Sequence, residues 1–151
     1  MRFFLVLLTL LSFTSFGQKV YLSDRKFSSD LIWEREQQTI YRNGQTGRVE
    51  VLYIKNDVVY LKERMFYTDV KYTVSGNKIY RGNSTSVFDL LFTLTDGKLY
   101  IGDSGSSMDC LYTFKNGIIY RGDSTSTFDK FMAYDSDESM LIWVALMILP
   151  Y

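Results

Sequence analysis

The chain has 151 residues, of which 17 are basic and 17 acidic, so its net charge is zero; it has no His, one Cys and one Pro. Balanced charge leaves no overall electrostatic footprint for nucleic acid or an anionic membrane. The missing His excludes imidazole bases, His-based triads and His-containing zinc sites, and one Cys excludes an intrachain disulfide.

Residues 1–17, MRFFLVLLTLLSFTSFG, combine a basic residue, an apolar run, and Ser15 and Gly17 near a cleavage point. That is the pattern of a signal peptide. The apolar run is too short for a comfortable membrane span, and no Cys follows it to carry a lipoprotein anchor. Cleavage leaves a single-domain-sized chain from Gln18 onward, secreted or periplasmic in a Gram-negative envelope and not integral to the membrane. Cys110 then reads as a small buried hydrophobe rather than a reactive thiol.

Residues 18–137 are repetitive. Written in register, KIYRGNSTSVFDLLFTLTDG is followed by KLYIGDSGSSMDCLYTFKNG and IIYRGDSTSTFDKFMAYDSD, a period of twenty residues. The Tyr recurs at Tyr21, Tyr41, Tyr60, Tyr80, Tyr100 and Tyr120, and an acid nine residues later at Asp30, Glu50, Asp69, Asp89, Asp109 and Asp129. Six units result, with one single-residue deletion between Tyr41 and Tyr60. A unit this small cannot bury an apolar face alone, so neighbours must stack.

The units read as β-hairpins. Ser75-Gly76-Asn77, Asp96-Gly97 and Asn116-Gly117 are tight-turn signals between runs rich in β-branched and aromatic residues. They pair Phe88–Leu94 with Lys98–Ile101, and Met108–Phe114 with Ile118–Arg121. The Gly-Asn-Ser-Thr-Ser type of segment forms the second bend of each unit, with hydroxyls bonding nearby backbone. Both faces of the sheet are expected to be at least half covered, because Leu91 interrupts the polar face of the run from Asp89 to Leu94. The residue after the Tyr alternates Leu22, Arg42, Leu61, Arg81, Ile101, Arg121, so adjacent units meet different surroundings. The fold class is therefore all-β: six hairpin-like repeats in a solenoid or a closed, barrel-like arrangement, two alternatives that periodicity alone leaves open. Most of the strands are shorter than the 9 to 11 or so residues of an outer-membrane barrel.

Residues 138–151 break the pattern. Asp135-Ser136-Asp137-Glu138 offers a capping box in the looser sense before the apolar run from Met140 to Leu149. A short, mostly buried helix closing one end of the β structure is expected; a seventh β segment is the alternative.

The first unit, Val20-Tyr21-Leu22-Ser23-Asp24-Arg25-Lys26-Phe27-Ser28-Ser29-Asp30-Leu31-Ile32, resembles the units of small bacterial septoil-knot domains, which place a Val-Tyr pair and a later acid-aliphatic pair in one short β unit. The later units, with Ile-Tyr-x-Gly-x-Ser-Thr-Ser-x-Phe-Asp, resemble exported repeat proteins of unknown function from Bacteroidetes-type bacteria. The first resemblance implies a knotted winding, against which stand the turns inserted in each later unit and the rarity of knots. Neither implies a catalytic site.

Three chemistries are open to these residues. Asp89, Asp109 and Asp129 could each accept hydrogen bonds from the local Ser/Thr turn. Alternatively they could join Asp103 and Asp123, six residues earlier in their units, as oxygen ligands for calcium, which takes six to eight or so oxygens. Finally Tyr80, Tyr100 and Tyr120, with Arg81, Arg121, Ser84, Ser104 and Ser124, could line a binding edge for a glycan or a protein partner at the envelope. The functional expectation is an exported, non-enzymatic binding or structural module without a required cofactor. The alternative is a hydrolase of envelope glycans built on paired carboxylates.

Overall fold

A computed structural model describes residues 17–149. The expected signal peptide lies outside the described residues except for Gly17. Twelve strands form the sheet: β1 (Gln18–Tyr21), β2 (Leu31–Glu36), β3 (Thr39–Gly44), β4 (Gly47–Lys55), β5 (Val58–Tyr60) and β6 (Val70–Ser75), then β7 (Lys78–Arg81), β8 (Leu90–Thr95), β9 (Lys98–Ile101), β10 (Cys110–Lys115), β11 (Ile118–Arg121) and β12 (Lys130–Asp135). One helix follows, α1 (Leu141–Ile148). Each strand pairs antiparallel with its neighbours in sequence, and β1 pairs with β12. The sheet is thus a closed meander barrel, which decides between the solenoid and the ring. It is not the knotted winding implied by the septoil-knot resemblance, because no strand crosses over another.

The tight turns follow from local chemistry. Asp96 and Gly97 have φ of 50° and 70°, and Asn116 and Gly117 have 52° and 74°, as a two-residue hairpin turn with positive φ at both positions requires. A Cβ on Gly97 would also lie 2.9 Å from the Phe114 carbonyl oxygen. These turns mark one end of the barrel, the turn end. At the opposite end, the bend end, the chain leaves a short strand, makes a looser excursion and returns through a single 3₁₀ turn. The 3₁₀ turns are Ser28–Asp30, Tyr67–Asp69, Val87–Asp89, Ser107–Asp109 and Thr127–Asp129. The expected strands are therefore two residues shorter at this end: Phe88 and Met108 lie in the turns.

The unit beginning at Tyr41 has no such bend. Instead β3 and β4 stay paired out to Gly44 and Gly47, because its Arg42-Asn43-Gly44-Gln45-Thr46-Gly47 run carries Gly44 where the other units carry Asp, Glu or Asn and Gly47 where they carry Phe or Ser, and Gly47 takes a φ of 114°. The barrel has five bends and one hairpin rather than six equivalent units.

Pairing register builds the core as three rings. Val20, Ile40, Val59, Ile79, Leu99 and Ile119, the residue before each Tyr, are fully buried. Toward the bend end each stands opposite Trp33, Leu52, Tyr72, Phe92, Tyr112 or Met132. Toward the turn end each faces Arg35, Ile54, Val74, Leu94, Phe114 or Tyr134. A bulge follows the ring residue of every short strand, bending and twisting the sheet so that it can close.

Twelve strands about 4.8 Å apart make a barrel at least about 18 Å across, too wide for wall side chains alone to fill. Helix α1 fills it. Every residue from Leu141 to Met147 is buried, as an all-apolar helix must be. Leu141 lies beside Leu94, Phe114 and Tyr134 at the turn end, and Leu149 lies beside Tyr72 and Phe92 at the bend end. The helix therefore runs along the barrel axis as a plug rather than closing one end as expected. Nor does the capping box form: Asp137 makes no side-chain cap hydrogen bond, and a 3₁₀ turn, Glu138–Met140, comes first. Among the described residues no helix is long and apolar enough to cross a membrane.

The outer face is covered as well. The Thr73, Thr93 and Thr113 hydroxyls donate to the carbonyls of Gly82, Gly102 and Gly122 at 2.7, 2.7 and 2.8 Å, folding the start of the last three bends back against the sheet. Lys78 reaches Asp103 at 2.8 Å and Lys98 reaches Asp123 at 2.5 Å, tying each unit to the next, and Lys130 meets Asp24 at 3.1 Å across the closure.

A candidate binding face at the bend end

The acids marked out by the repeat are engaged locally. Ser84, Ser104 and Ser124 donate to Asp89, Asp109 and Asp129 at 2.6, 2.6 and 2.5 Å, and Ser23 does the same for Asp30. Each of the first three serines also accepts the amide of the residue two further on, Ser86, Ser106 or Ser126, at 3.1 Å. Their hydroxyls in turn accept from Phe88, Met108 and Phe128. The last three units therefore repeat one relay, amide to Ser to Asp, that orders the 3₁₀ turn. Asp103 and Asp123 are drawn away to Lys78 and Lys98, whose ammonium groups are pushed above their ordinary pKa by those hydrogen bonds. The five acids considered for calcium are thus distributed among separate partners. Among the described residues no three acids or thiols gather to hold a metal ion.

The candidate binding edge is divided in the same way. Tyr80 and Tyr100 are buried and Tyr120 is half-buried, so the first two belong to the packing beneath the bends. The Ser84, Ser104 and Ser124 hydroxyls are committed to carboxylates. Only Arg81 and Arg121 are exposed, and the Arg121 guanidinium lies 4.6 Å over the Phe131 ring. Cys110 is buried, and burial pushes its thiol up.

What the structure brings together is different. The Leu22 and Leu61 amides donate to the carbonyls of Asp30 and Asp69 at 2.8 and 2.9 Å, which places each 3₁₀ turn beside the residue that follows the Tyr. Closing the barrel turns the alternation Leu22, Arg42, Leu61, Arg81, Ile101, Arg121 into a ring around the bend end, each member exposed. Outside it, Phe88, Met108 and Phe128 are 95%, 92% and 96% exposed and Tyr67 is 74% exposed. Eleven of the twelve exposed large hydrophobic residues belong to this end, Met140 being the exception. On one side of it, between neighbouring units, is an open depression of about 450 Å³ lined by Leu61, Tyr72, Arg81, Phe92 and Leu149 among others.

A sixfold ring of hairpin units around a common axis is the organisation that the chain shares with a known family. Residues 20–143 match the family model described as 6-fold beta flower protein. The chain belongs to the 6-fold beta flower protein family. No curated protein and no solved structure matches it. In this flower the bends are the petals and α1 is the central column. The matched range stops at Trp143, within the column.

The exposed petal residues carried a sequence signal of their own. Phe88, Met108 and Phe128 each precede the repeated Asp, and an apolar residue there sits outside any strand once the Ser-Asp relay is recognised as a turn.

Proposed function

We propose that this flower is an exported, non-enzymatic binding module of the cell envelope of a Gram-negative, Bacteroidetes-type bacterium, working through its bend end. The observation that carries the reading is the concentration of exposed large hydrophobic residues there, three of them more than nine-tenths exposed. A monomer rarely keeps a contiguous apolar surface without a use for it, and single-residue exposure above 90% excludes a packing role. The signal-peptide pattern of residues 1–17 supports export. A glycan hydrolase would need two acids facing each other across a cleft; the repeated Ser-Asp relays instead favour the binding module.

Fractionation of cells producing the full chain tests this reading. The protein is expected in the envelope fraction, and the triple variant F88S/M108S/F128S is expected to be exported but released to the soluble fraction. Equal retention of the variant, or a cytoplasmic location for the wild-type chain, would overturn it.

A further inference from the structure

We infer that the partner of the bend end is an anionic lipid surface, a deepening that rests on the binding-module reading above. Three observations lead there. The first is shape: petal positions related by the sixfold repeat lie at one height around the barrel axis, so Phe88, Met108 and Phe128 form part of a level rim suited to a planar partner. The second is chemistry. The rim residues at the position before the Asp are Phe and Met, without a polar handle, while the Ser84, Ser104 and Ser124 hydroxyls and the following Asp carboxylates are bonded to each other. A sugar site would aim those polar groups outward; a lipid interface needs apolar side chains at the tips.

The third observation is charge. Arg42, Arg81 and Arg121 alternate with Leu22, Leu61 and Ile101 around the same end and are exposed. Among the described residues they have no carboxylate partner within ion-pair distance. Of the acids at this end, Asp30, Asp89, Asp109 and Asp129 are held by serines and Asp24, Asp69, Asp103 and Asp123 by lysines, while Glu50 meets the Tyr53 hydroxyl and Glu63 is exposed. The ring itself therefore presents three guanidinium groups free of ion pairs although the whole chain is neutral. Guanidinium groups level with apolar tips are placed to meet phosphate headgroups as the tips enter the interface.

Co-sedimentation of the purified full chain with vesicles tests the inference. Vesicles containing phosphatidylglycerol are expected to bind it at least about ten-fold better than phosphatidylcholine alone, with the preference falling as salt rises. F88S/M108S/F128S should weaken binding to both by about ten-fold or more. R42Q/R81Q/R121Q should remove only the preference for anionic lipid. Both variants change exposed side chains, and thermal melts like that of the wild type verify their folding. No vesicle binding, or binding unaltered in the serine variant, overturns the inference, as does a dimer in sedimentation velocity that those serines dissociate without any lipid binding. Loss of envelope retention in the serine variant without vesicle binding would sink the lipid partner and leave the binding module standing. Vesicle binding lost with retention unchanged would sink the module reading instead.

Discussion

The Arg35 guanidinium lies 4.4 Å over the ring of Trp143. Arg35 belongs to the first unit and occupies the ring position held in the other five by Ile54, Val74, Leu94, Phe114 and Tyr134, whereas Trp143 sits on the central column. The pair joins the start of the barrel to its plug, and Arg35 also donates to Gln18 Oε1 and the Gln37 carbonyl, both at 3.1 Å. Burial pulls its pKa down. Trp143→Ala is expected to destabilise by about 3–5 kcal/mol through the cavity it leaves. Arg35→Ala should cost about 1–2 kcal/mol, from a cation–π contact and unpaired hydrogen-bond partners. Urea denaturation of both variants measures the difference, and equal effects would contradict the distinct roles.

The column is required by the barrel's width. Its large apolar residues are each worth about 1.5–3 kcal/mol on burial, so together they contribute on the order of 10 kcal/mol, comparable with the whole stability of a domain. A chain ending at Asp137 is expected to lose cooperative melting. Leu146→Ala, which opens a cavity at a fully buried site, should retain the fold and cost about 2–5 kcal/mol.

Each Ser-Asp relay stabilises one petal. Asp109→Ala leaves the Ser104 hydroxyl without its acceptor and is expected to lower stability by about 1–3 kcal/mol. Asp103→Ala breaks only an ion pair whose acid is 62% exposed and should cost about 1 kcal/mol or less. An unchanged melting temperature in Asp109→Ala would refute the structural role of the relay.

Closure makes the unit number indivisible. Deleting residues 98–117 in register removes one unit and should abolish cooperative folding, since five units enclose a smaller circle that cannot hold α1. A folded deletion product by near-UV circular dichroism would show that the ring tolerates a change of order.

Glu50, the acid of the bendless unit, accepts from the Tyr53 hydroxyl at 2.7 Å, and that hydrogen bond pushes the Tyr53 pKa up to about 12. Because the folded value lies above the ordinary 10.0, the associated stabilisation is fully present below pH 10 or so and fades as pH rises toward about 12. The group is partly exposed and reached by solvent, so the effect on stability should be small. Glu50→Gln is expected to bring one tyrosine ionisation back toward its ordinary range in a spectrophotometric titration; a superimposable curve would refute the coupling.

Much of the fold was legible because hairpins are local. The Asp96-Gly97 and Asn116-Gly117 turns and the twenty-residue period depend on backbone preferences and alternation within a few residues, and the structure agrees with both. The Tyr41 unit was harder to read, because its repeated spacing concealed a change from bend to hairpin that its glycines alone signalled. At the candidate site, the Ser-Asp bonds were legible as turn chemistry, while the value of Phe88, Met108 and Phe128 was obscured by assigning the first two to strands.

The amino-acid order by itself determined the unit, its turns and the apolar character of the last segment, since these rest on interactions among near neighbours. Only the tertiary structure decided that the sheet closes, that the apolar segment runs through its centre, and that alternating Leu and Arg positions become a ring. Closure depends on twist and bulges accumulated over all twelve strands and on a core that exists only when β1 meets β12, and no single period of the sequence contains either.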